Sequence, residues 1–192
     1  MRYNCVVGSR RSGTSMLMLA LRQAGIPTLG LKYVRLDTSL SFTPTEEQRE
    51  GNLNGYWEMG DITLKTGLQA EHKDLGMNGD LIKIITECIW KSDPTMINKV
   101  IYIERDTNKV IKSLLKAKTI VEEEAEYFKH KIAGDKKRTF DYLEENQIPV
   151  LKTKYEEIIK RPETLKDLCH FIGQGDWNTG MKIIDKKLNR TK

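Results

Sequence analysis

The fold of this chain can be inferred from one stretch of its sequence, Cys5-Val-Val-Gly8-Ser-Arg-Arg-Ser-Gly13-Thr-Ser-Met16. The apolar residues 3–7 that lead into it are typical of a buried strand, and the apolar residues 16–24 that follow have the length of a helix. A strand, a glycine-containing loop and a helix in this order direct backbone N–H groups and the positive end of a helix at one point. The stretch therefore predicts a phosphate-binding loop.

The charges of this loop differ from those of nucleotide-hydrolysing proteins. Gly8 and Gly13 have the spacing of the pattern G-x-x-x-x-G-K-[ST], but Thr14 stands where that pattern has its lysine. The nearest positive charges come earlier in the loop, at Arg10 and Arg11. The loop therefore offers a phosphate group its cations from a different position. Hydroxyl donors are also present, at Ser12, Thr14 and Ser15.

A second segment has the same strand-to-helix organisation. Residues 99–103 form a short apolar run rich in β-branched side chains, and residues 107–117 have helical periodicity. Arg105 is therefore expected at the carboxyl end of a strand, and Ser113 about two turns into the following helix. A guanidinium matches the geometry of phosphate oxygens and a hydroxyl supplies another donor, so this pair is suited to a second phosphate group.

Together, the two segments resemble the sulfotransferases that use 3′-phosphoadenosine-5′-phosphosulfate. The loop is similar to their 5′-phosphosulfate pattern P-[KR]-S-G-[TS]-[TS], with Arg10 in place of the proline. Arg105 and Ser113 are eight residues apart, as in the family's 3′-phosphate motif, although Thr107 replaces its proline. The resemblance implies that Arg11 also stabilises the leaving phosphate as a catalytic residue, and that no metal is required. The implied cofactor-binding residues are Arg10, Arg11, Ser12, Gly13, Thr14, Ser15, Arg105 and Ser113.

Three further segments resemble bacterial and viral sulfotransferase-like proteins. Residues 52–58, Asn-Leu-Asn-Gly-Tyr-Trp-Glu, are similar to the family pattern N-x-x-G-[YF]-[WF]-E. Residues 150–173 resemble a late strand, a Tyr-Glu turn and an amphipathic helix, and residues 184–190 resemble I-D-P-x-L-x-R. The resemblance thus extends along most of the chain, although only the first two motifs are specific enough to transfer residue roles.

Transfer of a sulfuryl group needs a general base for the proton of the acceptor, and we predict Glu58 for this role. Tyr56 and Trp57 before it offer an apolar wall that makes a carboxylate a better base. A surface glutamate that caps the next helix is the structural alternative. His72 is a weaker candidate for the base. Lys83, unusual within an apolar strand, is a minor candidate for contacting the transferred group.

Two other functions stay open at this point. A P-loop kinase or nucleotidase would share the fold, but it needs a lysine after Gly13 and a strand-end aspartate for Mg²⁺, for which Asp106 is an ambiguous candidate. A non-catalytic nucleotide-binding relative is the second alternative. The sequence does not name the acceptor, which can be a small molecule or a carbohydrate with a hydroxyl or amine group, and it leaves the oligomeric state unknown.

Composition agrees with a compact enzyme made of one domain over residues 1–192. The chain has 39% hydrophobic residues, 31% charged residues and a formal net charge of +5, which suits an anionic ligand and argues against a membrane-embedded chain. No basic stripe with interleaved aromatic residues is present, so we expect no nucleic-acid partner. Because a strand begins almost at once, we expect no signal peptide or membrane anchor and a cytoplasmic location. The three cysteines Cys5, Cys88 and Cys169 are far apart and imply no disulfide framework, and Cys5 and Cys169 are expected to be reduced core residues.

The order of predicted elements favours an α/β fold with a mostly parallel central sheet flanked by helices, of the P-loop nucleotide-binding type. Both the glycine loop and Arg105 then fall at carboxyl ends of strands, where such sheets bind ligands. Residues 30–60 lack periodicity and are expected to form a substrate loop. The predicted strands are 3–7, 81–86, 99–103 and 148–153. The predicted helices are 15–24, 61–74, 107–117, 119–145 with Gly134 as the candidate break, 155–172 and 179–188.

Overall fold

The computed structural model describes residues 1–29, 62–75 and 79–184 of the chain. The expected substrate loop at residues 30–60, which includes the segment 52–58, lies outside the described residues. So does most of the C-terminal segment 184–190.

A parallel sheet of four strands forms the centre of the described structure. The strands are β1 (Tyr3–Gly8), β2 (Leu81–Ile85), β3 (Ile97–Glu104) and β4 (Val150–Lys154). They are arranged in the order β2-β1-β3-β4, and every neighbouring pair is parallel. This sheet and its flanking helices confirm the α/β fold class predicted from the sequence.

Helices follow each of the strands. After β1 comes α1 (Thr14–Gln23), and after β2 comes the short α2 (Thr86–Ile89). After β3 come α3 (Thr107–Lys116) and the long α4 (Ala125–Glu145). After β4 come α5 (Tyr155–Lys160), α6 (Leu165–Ile172) and α7 (Trp177–Met181). Among the residues that the structure describes, no helix is long and apolar enough to cross a membrane.

Both faces of the sheet are covered, which is why β1 and β2 are mostly apolar and do not alternate between apolar and polar residues. Neighbouring residues of a strand point to opposite faces. On one face, Val6 packs with α1, α5 and α6, and on the other, Cys5 and Val7 pack with α2 and α4. All six residues of β1 are buried. Burial of apolar surface on both faces therefore fixes β1 between its two neighbours, and with it the loop that follows.

A third, smaller hydrophobic cluster joins α3 to the first half of α4. It contains Val110, Ile111, Leu114 and Ile120, with Phe128 and Ile132 packed against them. None of these side chains belongs to the clusters on the two faces of the sheet. This cluster holds α3 in place after β3, which matters for Ser113.

Two predicted helices are different in the structure. The helix predicted over residues 61–74 is wrong, because only a short π turn (Ile62–Thr66) and a short 3₁₀ turn (Ala70–His72) form there. Between them, Gly67 has a left-handed backbone (φ 70°) that interrupts a helix. The helix predicted over 155–172 is divided into α5 and α6 by a 3₁₀ turn that begins at Pro162.

The candidate break at Gly134 does not occur, since α4 continues through this residue. A helical glycine in open space predicts a simple stability effect. We expect Gly134→Ala to raise the free energy of unfolding by about 0.5–1 kcal/mol, because alanine loses less backbone entropy in a helix. Equilibrium unfolding in urea measures this change.

The matched control is Gly173→Ala at the end of α6. A Cβ would meet nothing within 4 Å at either glycine, but Gly173 has a left-handed backbone (φ 92°) and Gly134 does not. The same substitution is therefore expected to lower the stability at Gly173. Equal signs at the two positions would contradict the helical assignment of Gly134.

Candidate anion-binding site

Residues 9–13 form the loop that joins β1 to α1 at the carboxyl edge of the sheet. A Cβ on Gly8 would lie 2.7 Å from the carbonyl oxygen of Ile103, and a Cβ on Gly13 would overlap the ring of Tyr155. Gly13 also has a left-handed backbone, with φ 97°. Both positions thus require glycine, because a side chain there would clash with Ile103 or Tyr155.

The N-terminus of α1 has no side-chain cap in this loop. Gly13 is the N-cap residue and makes no side-chain cap, and the first turn contains no acidic residue. Thr14 and Ser15 in that turn are buried. The N–H groups of this turn and the positive end of the helix dipole therefore favour an anion at this position.

Ser12 supplies a second and independent sign of a ligand. Its side chain is fully buried, and its Oγ forms no hydrogen bond among the described residues. Buried hydroxyls are nearly always hydrogen-bonded, because desolvation without a partner is costly. An oxygen of a bound anion would satisfy this hydroxyl.

The two sequence motifs meet through a chain of hydrogen bonds. Arg105, directly after β3, donates from Nη1 to the backbone carbonyl of Arg11 at 2.9 Å. Arg11 in turn donates from Nε to the Oγ of Ser113 on α3 at 3.0 Å. Residues about one hundred positions apart are thus brought into one cluster of two guanidinium groups and a hydroxyl. Such a cluster is suited to a second anionic group.

Arg11 adopts a left-handed backbone with φ 67°, which is uncommon for a residue other than glycine. Strained backbones of this kind occur preferentially at functional sites. The hydrogen bond from Arg105 to the carbonyl of Arg11 holds the strained residue in place. The loop conformation is therefore fixed before any ligand arrives.

Tyr155 is a site residue whose role the sequence did not reveal. Its buried ring lies under the guanidinium of Arg105, with 4.5 Å between the guanidinium carbon and the ring centroid. The same ring fills the space that a side chain at position 13 would need. One aromatic ring thus supports both the loop and Arg105. The Tyr-Glu turn of the resembling segment was the only signal for it.

Arg10 and Arg11 leave the loop on opposite sides of β1. The side chain of Arg10 lies on the β2 side, where its Nη2 is 3.4 Å from Oε1 of Glu87 at the start of α2. Glu87 also accepts a hydrogen bond from Lys131 of α4 at 2.9 Å. Partial burial lowers the pKa of Lys131, but its hydrogen bonds to Asp135 and Glu87 outweigh burial and raise that pKa. Lys131 is therefore positively charged at neutral pH.

Lys83 supplies the ammonium group that the loop sequence lacks. It lies on β2, is buried, and donates from Nζ to the Oγ of Ser15 at 3.1 Å. Ser15 is the position at which nucleotide-hydrolysing loops hold Mg²⁺ with a hydroxyl, and Thr14 replaces their lysine. A lysine from the neighbouring strand thus reaches the loop, which has no lysine of its own after Gly13.

Of the two residues predicted as candidates for the general base, only His72 lies among the described residues. Glu58 lies outside the described residues and stays a prediction. His72 is excluded as a base by its location, because its carbonyl accepts from the hydroxyl of Tyr3 at the amino end of β1. The loop follows the opposite end of the same strand, and the five steps from Tyr3 to Gly8 span about 17 Å. Its Nδ1 accepts from the backbone N–H of Gln69, so His72 has a structural role.

The three cysteines are buried and free, as expected for reduced thiols. Burial raises the pKa of Cys88 to about 11, which keeps this thiol protonated at neutral pH. None of them takes part in the loop cluster. Within the described ranges, no group of three or more His, Cys, Asp or Glu side chains is arranged to hold a metal ion.

No protein-family model matches this chain, and a search of curated proteins finds no significant match. Functional inference therefore rests on the residues of the site. Their arrangement can bind two anionic groups, one at the start of α1 and one beside Arg11, Arg105 and Ser113.

The buried hydroxyl of Ser12 gives a prediction that needs no ligand. We expect Ser12→Ala to raise the free energy of unfolding of the free protein by about 1 kcal/mol, because an unsatisfied buried polar atom is removed. Urea unfolding measures this effect. Ser92→Ala is the matched control, since Ser92 is also buried but its Oγ accepts from the N–H of Leu68 at 2.9 Å. Loss of stability at both positions would show that Ser12 is satisfied without a ligand.

Proposed function

We propose that this protein is a sulfotransferase that uses 3′-phosphoadenosine-5′-phosphosulfate as its sulfuryl donor. The observation that carries the proposal is the hydrogen-bonded cluster of Arg11, Arg105 and Ser113. The resemblance separately assigned Arg11 to the 5′-phosphosulfate loop and the other two residues to the 3′-phosphate. Their contact favours a ligand that carries two phosphate groups, as this donor does.

The residues present fit such a donor. The uncapped start of α1 and the unsatisfied hydroxyl of Ser12 are suited to its 5′-phosphate. Arg105 and Ser113 are suited to its 3′-phosphate, with Tyr155 holding the guanidinium of Arg105 against its ring. Arg10, Gly13, Thr14 and Ser15 complete the proposed cofactor-binding set.

The donor supplies an activated sulfuryl group, and the chain supplies charge stabilisation and a proton acceptor. Negative charge grows on the leaving phosphate oxygen, and the guanidinium of Arg11, which donates to Ser113 beside the loop, is suited to stabilise that charge. Lys83 is the minor candidate for contacting the transferred group. Glu58 is the proposed general base for the hydroxyl or amine of a small-molecule or carbohydrate acceptor.

Two observations favour this function over the kinase alternative. The ammonium of Lys83 is hydrogen-bonded to Ser15, the hydroxyl that would hold Mg²⁺ in a nucleotide-hydrolysing loop. The carboxylate of Asp106 accepts the backbone N–H of Lys109 at 3.0 Å, and thus serves as the cap of α3. Both features agree with a metal-free reaction. A non-catalytic nucleotide-binding relative is the remaining alternative. It would bind the same nucleotide without transferring a sulfuryl group. For either function, the cytoplasm is the proposed location.

Calorimetric titration with 3′-phosphoadenosine-5′-phosphate tests the proposal, in EDTA so that no divalent metal takes part. We expect binding that weakens about 10- to 100-fold in Arg105→Ala and about 10-fold in Ser113→Ala, because each variant loses contacts to the 3′-phosphate. Adenosine 5′-phosphate, which lacks that group, should bind more weakly and should lose less affinity than the bisphosphate does in Arg105→Ala, because only the effect of Arg105 on the loop remains.

The control variant is Lys137→Ala, which removes one positive charge from an exposed ion pair on α4. It should leave the affinity for the bisphosphate unchanged within about twofold. Tighter binding of ATP with Mg²⁺ than of the bisphosphate would favour the kinase alternative. Indifference of bisphosphate binding to Arg105 would contradict the proposed function.

A further inference from the structure

The two sides of β1 divide the site into two halves. β3 lies on one side of β1 and β2 on the other. On the β3 side are Arg105, Ser113 and the guanidinium of Arg11. On the β2 side are Lys83, Glu87 and the guanidinium of Arg10. The loop lies between the two halves.

If the proposed function holds, this division determines how the bound donor is oriented across the loop. The 3′-phosphate belongs to the β3 side, so the nucleoside must approach the loop from that side. The 5′-phosphate is tetrahedral, and its ester oxygen and its bridging oxygen to sulfur point in different directions. The sulfuryl group therefore extends away from the nucleoside, toward the β2 side of β1.

Arg10 is suited to meet an anionic group that arrives there. Its contact with Glu87 is long, at 3.4 Å, and the two side chains are 48% and 31% exposed. Ion pairs of this kind contribute little, so the guanidinium can leave its partner at small cost. Glu87 would keep its shorter hydrogen bond to Lys131 and would not be left without a cation. Lys83, by contrast, is buried and donates to the loop itself.

We propose that Arg10 binds the sulfuryl group of the donor and thereby distinguishes the phosphosulfate from the bisphosphate product. In the free protein Glu87 holds the guanidinium of Arg10 beside the loop. When the donor binds, the sulfuryl oxygens replace the carboxylate as the partner of Arg10. After transfer that interaction is lost, and only the contacts to the two phosphates remain with the product.

The experiment compares the affinities of two probes, 3′-phosphoadenosine-5′-phosphosulfate and 3′-phosphoadenosine-5′-phosphate, in the absence of acceptor. We expect Arg10→Ala to weaken binding of the phosphosulfate about 10-fold and to change binding of the bisphosphate less than about twofold. Glu87→Gln should tighten phosphosulfate binding about threefold, because the carboxylate no longer competes for the guanidinium. Lys137→Ala is the control for a general loss of positive charge and should affect neither probe.

Equal weakening of both probes in Arg10→Ala would overturn the inference and make Arg10 an ordinary phosphate ligand. An unchanged affinity for both probes would overturn it as well, and would leave Arg10 as a surface residue paired with Glu87. These outcomes leave the proposed function intact, since Arg105→Ala would still weaken both probes. If the unmodified protein binds neither probe, the proposed function fails, and the inference about Arg10 fails with it.

Discussion

The hydrogen bond from Arg105 to the backbone carbonyl of Arg11 is the contact on which the site depends. It connects the end of β3 to the loop after β1 and holds Arg11 in a left-handed conformation. From this loop the side chain of Arg11 reaches Ser113, whereas that of Arg10 reaches Glu87. The two neighbouring arginines thus belong to the two halves of the site.

Packing of the Tyr155 ring also holds the loop and Arg105 in these positions. The ring occupies the space over Gly13 and stacks against Arg105, so neither can move without opening a gap beside a buried aromatic side chain. The sheet supplies the rigid base, because β1 is buried on both faces and paired on both edges. A site on such a support can keep donors oriented toward an anion without reorganisation, which is the basis of electrostatic stabilisation in catalysis.

The strands and the glycine loop were predictable from the sequence, because each depends on residues that are close together along the chain. Apolar runs placed all four strands within a few residues, and the spacing of Gly8 and Gly13 placed the loop. The helix predicted over residues 61–74 was wrong because Gly67 has a left-handed backbone and packs against a residue far away in the sequence. A Cβ there would lie 2.6 Å from the carbonyl of Cys88, a residue of the distant α2. Periodicity alone cannot show such a contact.

The motifs named three residues that the structure brings into contact, but they did not show the geometry of that contact. The motifs named Arg11, Arg105 and Ser113, yet no local pattern shows that two of them share a hydrogen bond across 102 positions. The direction of a side chain depends on the backbone conformation at its own residue, so the divergence of Arg10 and Arg11 also required coordinates. Lys83 looked anomalous in an apolar strand, and only the structure shows that its Nζ donates to the hydroxyl of Ser15 in the loop.

The most direct test of the account is a crystal structure of the protein with 3′-phosphoadenosine-5′-phosphate, grown with EDTA. We expect the 5′-phosphate on the N–H groups of residues 13–15, within hydrogen-bonding distance of the Ser12 hydroxyl. We expect the 3′-phosphate on Arg105 and Ser113, with the nucleoside on the β3 side of the loop. A nucleotide bound elsewhere, or one whose 3′-phosphate faces solvent away from Arg105, would contradict the account.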